Sequence, residues 1–218
     1  MSAAGDAAAK RRTAVLISGR GSNMVALIEA AKAPSFPAEI VRVVSNDPSA
    51  QGLQRAEASS IRTAVVDHKQ FGKDREAFER ALQSELESNA TDLVCLAGFM
   101  RLLTPWFVTR WTNRLINIHP ALLPDLKGLH THARALEEGR KWHGATVHFV
   151  VPEMDAGPII RQARVPVLPD DTEDKLGARV LEVEHRIYPE ALRLVAEGRV
   201  QVVGNVCLVD GKPAETFA

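Results

Sequence analysis

Arg114-Leu-Ile-Asn117-Ile-His119-Pro120-Ala-Leu-Leu-Pro124 is an apolar run interrupted by two polar side chains. Residues 115–118 read as a short buried strand, because parallel strands covered on both faces are near-continuous apolar runs. Asn117 and His119 break that run two positions apart, and alternation along a strand puts positions i and i+2 on one face. A carboxamide and an imidazole therefore project side by side. Pro120 has no N–H for the ladder and stops the strand, so both groups stand at its carboxyl end, where open α/β sheets bind ligands. Taken alone, the pattern also fits a core His and Asn satisfied by hydrogen bonds.

The sequence on either side bounds what that strand can belong to. A chain of 218 residues fits one domain and is long enough to bury roughly 70% of its unfolded surface. The 27 Lys and Arg balance the 27 Asp and Glu, so no global charge draws the chain to nucleic acid or to an anionic membrane. Cys95 and Cys207 lie far apart in apolar runs, which is neither a disulfide framework nor a CxxC motif and suits a reducing cytoplasm. Residues 1–12 are Ala-rich with basic residues at the end and lack the apolar core of a signal peptide. They read as a disordered tail, leaving 13–218 as one domain. No run approaches the roughly 18 apolar residues of a membrane span. A homodimer stays compatible with the sequence.

Upstream of the central strand, Thr13-Ala-Val-Leu-Ile17 is a short apolar run followed by Ser18-Gly-Arg-Gly21-Ser22-Asn23. Met24, Leu27, Ile28 and Ala31 then recur at helical spacing. A strand, a Gly-rich turn and a helix in this order aim backbone N–H groups and the helix's positive end at an anion, which suits phosphate. The dinucleotide fingerprint GxGxxG would need glycine where Met24 stands; a plain tight turn is the other reading. Strands follow at 40–44, 63–66 and 92–97, with helices at 50–59 and 73–88 between them. Phe78, Leu82 and Leu86 form the buried stripe of the second helix and Arg75 lies in its first turn, where a solvated charge is the simpler reading. After Gly98, the segment Phe99-Met100-Arg101-Leu102-Leu103 is either core or the apolar lip of a pocket for a flat ring. The resulting β-α-β-α-β-α-β-α-β order predicts an α/β fold with a doubly wound, mostly parallel sheet.

Downstream, His130 and His132 in Gly128-Leu-His-Thr-His132 have no third ligand at a known metal spacing, so a loop capping the site is the more economical reading. Residues 144–151 predict a strand with His148 in alternation. Pro152-Glu153-Met154-Asp155-Ala-Gly157-Pro158 is a turn-rich loop that sets a carboxylate among Gly and Pro. A strand at 159–165 leads to the longest helix, capped by Thr172, with a stripe of Leu176, Val180, Val183 and Ile187 and Glu184 beside it. Residues 200–203 and 205–209 predict a closing β-ribbon.

Three features are expected to converge over the sheet's carboxyl edge: the turn at Gly21, Ser22 and Asn23, the pair Asn117 and His119, and Asp155. A carboxylate beside an imidazole favours its charged form and orients the ring. An imidazolium and a carboxamide are both donors and suit a tetrahedral oxyanion. No Ser or Cys stands in a nucleophile elbow or thiolate context, which leaves direct acyl transfer between two bound substrates. The competing readings are a nicotinamide-dependent oxidoreductase with Asp47 on ribose, and a non-catalytic nucleotide-binding module.

The same segments carry a resemblance. Ser18-Gly-Arg-Gly-Ser-Asn23, Leu96-Ala-Gly-Phe-Met-Arg101, Asn117-Ile-His-Pro-Ala-Leu-Leu-Pro124, Gly128-Leu-His-Thr-His132 and Met154-Asp-Ala-Gly-Pro158 resemble the folate-dependent formyltransferase family, and within it the phosphoribosylglycinamide formyltransferases of purine synthesis. The likeness runs from about Thr13 to Tyr188. It implies a single-domain, Rossmann-like formyltransferase fold and the transfer of a formyl group from 10-formyltetrahydrofolate to glycinamide ribonucleotide, with no metal. It implies Asn117, His119 and Asp155 as the catalytic trio, and Gly21, Ser22, Asn23 and Glu184 on the ribonucleotide. It also implies Arg75, Met100, Arg101, Leu102, Leu103, Asn117 and the loop Val151, Pro152, Glu153, Met154 and Asp155 on the folate. On this expectation the N-terminal half binds the phosphoribosyl substrate and the C-terminal half completes the folate site. Asp125 and Lys127 depart from the usual loop.

Overall fold

The protein is described by a computed structural model covering residues 9–217. The part of the expected tail at residues 1–8 lies outside the described residues. The first strand starts two residues before the expected boundary, within what reads as a polar tail. β1 (Arg11–Ile17) opens with two arginines because they stand at the amino-terminal edge of the sheet. There Arg12 N–H donates to Asp92 Oδ2 at 2.9 Å, and its guanidinium reaches Glu39 and the Asn89 carbonyl. The apolar remainder, Ala14 to Ile17, is fully buried.

The chain continues through α1 (Ser22–Ala31), β2 (Ala38–Ser45), α2 (Gln51–Ala58), β3 (Thr63–Val65), a 3-10 turn (His68–Phe71) that periodicity does not predict, and α3 (Arg75–Ser88). β4 (Leu93–Leu96), α4 (Pro105–Arg110), β5 (Leu115–His119), α5 (Thr131–Glu137), β6 (Trp142–Phe149) and β7 (Ile159–Pro166) follow. α6 (Glu173–Ala196) is the long C-terminal helix, and β8 (Val200–Val203), β9 (Val206–Val209) and β10 (Lys212–Pro213) form a small antiparallel sheet.

The seven-stranded sheet has the order β3-β2-β1-β4-β5-β6-β7. Its first five strands are parallel; at the far side β6 pairs antiparallel with β5 and β7 antiparallel with β6. The predicted doubly wound, mostly parallel sheet is therefore the fold. One apolar cluster joins α1, α2, α5 and α6 to one face, and a second joins α3 and α4 to the other. The strand order reverses between β1 and β4, so the crevice where such sheets bind ligands opens at their carboxyl ends.

Two features aim the site. β6 spans 142–149 rather than 144–151, and its antiparallel register sets His148 opposite Asn117. Tyr188, fully buried on α6, donates its hydroxyl to the Leu96 carbonyl at 2.9 Å with Ile116 O at 3.3 Å, which fixes α6 across the ends of β4 and β5. Among the described residues no helix is long and apolar enough to cross a membrane.

Candidate active site

Asn117 and His119 leave the end of β5 on one face, as alternation requires. His119 is buried, with both ring nitrogens facing oxygen atoms. Nε2 lies 2.9 Å from the Leu126 carbonyl, and Nδ1 lies 3.5 Å from Asp155 Oδ2. The first is a hydrogen-bond length and the second exceeds one, so Nε2–H is committed to the backbone carbonyl while Nδ1 stands beside the carboxylate without a hydrogen bond to it. Asp155 reaches this position from a residue with φ 50° in the loop after β6, and its Oδ2 also accepts the Gly128 N–H at 2.9 Å. The carboxylate thus ties together His119, the 124–132 loop and its own loop.

Asn117 is held by a residue to which the sequence alone assigned no role. Its Nδ2 lies 3.2 Å from His148 Nε2, while His148 Nδ1 lies 2.9 Å from the Phe149 carbonyl. A carbonyl can only accept, so Nδ1 carries the proton and Nε2 receives the Asn117 amide. Burial pushes the His148 pKa down and keeps the ring neutral. The 3.7 Å approach of Asp155 Oδ1 to His148 Nε2 is therefore a lone pair beside a carboxylate, not an ion pair. One Asn117 N–H stays free for a ligand. The signal that could have found His148 is the β5–β6 register, which a single sequence does not print.

The Gly-rich turn lies across the crevice. Gly21 takes the left-handed conformation, φ 70° and ψ 31°, and precedes α1 without a side-chain cap. The first intrahelical bond runs from Val25 N–H to the Gly21 carbonyl, so the preceding N–H groups face outward at the helix's positive end. Gly52 on α2 supports the turn by donating its N–H to Gly19 O at 2.9 Å, and a Cβ added at Gly52 would stand 3.3 Å from Gly21 Cα. A cleft of about 270 Å³ opens above, lined by Ser18 to Asn23 with Ala97, Gly98 and Met100. Glu184, only 6% exposed, accepts the Asn23 Nδ2 proton at 2.8 Å, and burial pushes its carboxyl pKa up. Asn23 Oδ1 is buried with no hydrogen-bond partner. Glu184 thus sits beneath the turn and fixes Asn23.

In the segment after β4, Met100 and Leu102 are each 65% accessible and form the lip, while Phe99 and Leu103 pack partly buried against the second apolar cluster. Leu129 and Met154 add further exposed apolar surface from the loops flanking Asp155. α3 holds the lip from below. Arg75 donates to the Leu102 carbonyl, and the buried Glu79 one turn later accepts both the Thr104 N–H, at 2.6 Å, and its hydroxyl. Arg75 is thus engaged with the lip's backbone, and Glu79 is a contributor that the sequence analysis did not single out.

His130 and His132 part company. His130 is exposed with φ 56°, whereas His132 Nδ1 lies 3.0 Å from His143 Nε2. Among the described residues, no group of three or more His, Cys, Asp or Glu stands where it could hold a metal ion. Asp47 accepts both the Ser49 N–H and its hydroxyl on Oδ1 in a local turn. Asp125 pairs with Arg140 at 2.5 Å, and Lys127 with Glu153 at 3.3 Å.

Burial also sets a pH dependence. His143 is 1% exposed and its pKa is pushed down to about 4 by desolvation first, then by the neighbouring His132. A folded-state pKa below the unfolded value means the unfolded chain binds more protons between about pH 6.5 and 4. The stabilisation is complete above about pH 6.5 and is lost as pH falls toward 4, with His143 alone accounting for about 3 kcal/mol. Urea unfolding across that range should show a falling free energy, less steep in His143→Asn. An equal stability at pH 6.5 and pH 4.5 would refute the buried neutral ring.

Residues 11–192 match the family described as Formyl transferase. The chain is 47% identical over 206 residues to phosphoribosylglycinamide formyltransferase of Escherichia coli (strain K12), covering 94% of this chain and 97% of that protein. It is 50% identical over 200 residues to the trifunctional purine biosynthetic protein adenosine-3 of Gallus gallus, covering 91% of this chain but only 20% of that protein's length. The solved phosphoribosylglycinamide formyltransferase of Coxiella burnetii, in complex with CHES, superposes with a TM-score of 0.88 at 44% identity, covering 94% of this chain and 95% of that one.

Proposed function

The chain belongs to the formyl transferase family, among the phosphoribosylglycinamide formyltransferases, and from that membership we propose how its own residues carry the reaction. The reaction takes the formyl group of 10-formyltetrahydrofolate to the amine of glycinamide ribonucleotide, a step of purine biosynthesis. The ribonucleotide phosphate rests on the N–H groups of Gly21, Ser22 and Asn23, with Glu184 holding Asn23. The folate lies between the lip at Met100 to Leu103, supported by Arg75, and the loop Val151 to Asp155. The N-terminal half then supplies the phosphate end, and the C-terminal half completes the folate side. No metal enters the scheme, and we place the reaction in the cytoplasm.

The substrate amine attacks the formyl carbon, and the carbonyl oxygen becomes an oxyanion. The free N–H of Asn117 and the Nδ1–H of His119 donate to it, and such a preorganised donor is typically worth about 100- to 1000-fold in rate. Asp155 stands beside the ring and keeps it turned. Collapse breaks the bond from the formyl carbon to the folate nitrogen, which takes up one proton as the amine gives one up. His119 or a water carries that proton. The observation that supports this reading most is the 3.5 Å spacing of His119 Nδ1 and Asp155 Oδ2 beside the free Asn117 amide.

Neither competing reading has comparable support: Met24 stands where the fingerprint glycine would be, and a nucleotide sensor has no use for a buried donor pair. A spectrophotometric assay of formyl transfer to glycinamide ribonucleotide decides the matter. Release of tetrahydrofolate only when the ribonucleotide is present is the expected result, and its absence with an active donor would overturn the reading.

A further inference from the structure

One chain of hydrogen bonds crosses four neighbouring strand ends at the carboxyl edge of the sheet. Met100 N–H donates to Ser18 Oγ at 2.7 Å, the Ser18 hydroxyl donates to Asn46 Oδ1 at 2.5 Å, and His68 Nδ1 donates to the Asn46 backbone carbonyl at 2.8 Å. These residues follow β4, β1, β2 and β3, so the chain runs in the spatial order of the strands. A backbone bond from Ser18 N–H to the Gly98 carbonyl, at 3.2 Å, lies alongside it.

Asn46 fixes the Ser18 hydroxyl, which itself takes the Met100 N–H directly. Asn46 is 4% exposed, lies just past the end of β2 and does not line the cleft. A serine hydroxyl has a single proton. Because Asn46 Oδ1 takes that proton, a lone pair of Ser18 Oγ is left aimed at Met100 N–H. Ser18 opens the turn assigned to the ribonucleotide phosphate, and Met100 lies in the lip assigned to the folate. The carboxamide therefore sets the position of one substrate's cradle relative to the other's without touching either ligand.

We propose that Asn46 is a positioning residue that couples the two substrate sites, so that a ribonucleotide in the turn tightens binding at the folate lip, and the reverse. The coupling rests on the phosphate and folate assignments made above. Ordering the turn fixes Ser18, and through Asn46 the Ser18 lone pair holds the Met100 backbone in the conformation that receives the second ligand. Such a coupling is reciprocal, the same factor appearing in each ligand's affinity.

The test uses the full chain and two ligands that do not react with each other, glycinamide ribonucleotide and tetrahydrofolate, titrated calorimetrically alone and each with the other saturating. In the unaltered chain, each ligand is expected to tighten the other by at least about 5-fold, the lower end of ordinary coupling. Asn46→Ala should bring that ratio close to 1, and Ser18→Ala should do the same, while Ser18→Thr, which keeps the hydroxyl, restores it. A purely structural Asn46 would lower the melting temperature and weaken both ligands while leaving the ratio intact. An unchanged ratio in Asn46→Ala, or a ratio of 1 in the unaltered chain with both ligands binding, overturns the coupling alone. Failure of either ligand to bind the unaltered chain overturns the site assignment itself, and the coupling with it. If Asn46→Ala does not fold, the Ser18 pair decides the question.

Discussion

Asp155→Asn is expected to fold, to bind both substrates and to turn over at least about 100-fold more slowly, the size of a typical lost acid–base or electrostatic contribution. The substitution keeps a hydrogen-bond acceptor for the Gly128 N–H that Asp155 Oδ2 now receives at 2.9 Å, so the loop has reason to stay in place. It removes the negative charge that stands 3.5 Å from His119 Nδ1. The measurement is kcat with the two KM values and the thermal midpoint of the same preparation. Near-normal kcat would remove Asp155 from the mechanism; a collapse in midpoint would make the loss of rate a folding effect.

Gly157→Ala should be the more damaging change, although residue 157 touches no ligand in the proposed mechanism. A Cβ there would lie 1.8 Å from the Phe149 carbonyl oxygen and 2.8 Å from its carbon. Both obstacles are backbone, in the strand that carries His148, so no side chain can turn aside. The Phe149 N–H donates to the Pro158 carbonyl at 2.9 Å, and that close pairing is what a methyl group would prise open. A loss of about 3 kcal/mol or more is expected, in the upper range for single substitutions. Activity should fall with stability, since Asp155 is two residues away. Urea unfolding reads the first effect and turnover at low temperature the second. A stability within about 1 kcal/mol of the unaltered chain would show that the strand and loop can separate at small cost.

The parts of the fold that repeat were legible in the sequence. The apolar run of β1, the stripe of Phe78, Leu82 and Leu86 on α3 and the polar interruption at Asn117 and His119 each follow from a local period. Arg11 and Arg12 read as tail for a related reason: their strand character comes from partners distant in sequence, Pro37 for Arg11 and Asp92, Glu39 and Asn89 for Arg12. The candidate site was legible where a residue type stands out among turn residues, as Asp155 does, which the structure sets beside His119. It was not legible where the chemistry depends on who stands opposite. His148 orients Asn117 only because of the antiparallel register of β5 and β6, and Glu79 grips Thr104 from a helix whose pattern reads as a solvated face around a core stripe.

The loop between β5 and α5 serves His119 and Asp155 with main-chain atoms, the Leu126 carbonyl and the Gly128 N–H. The side chains between and beside those atoms, Asp125 and Lys127, turn outward to Arg140 and Glu153. A centre built partly from peptide groups places its demand on backbone conformation, met here at Leu126 with φ 52° and Gly128 with φ 82°, and little on side-chain identity. Side-chain truncation along this loop would therefore underreport its importance, and a residue that abolishes the amide donor, such as proline at 128, would expose it.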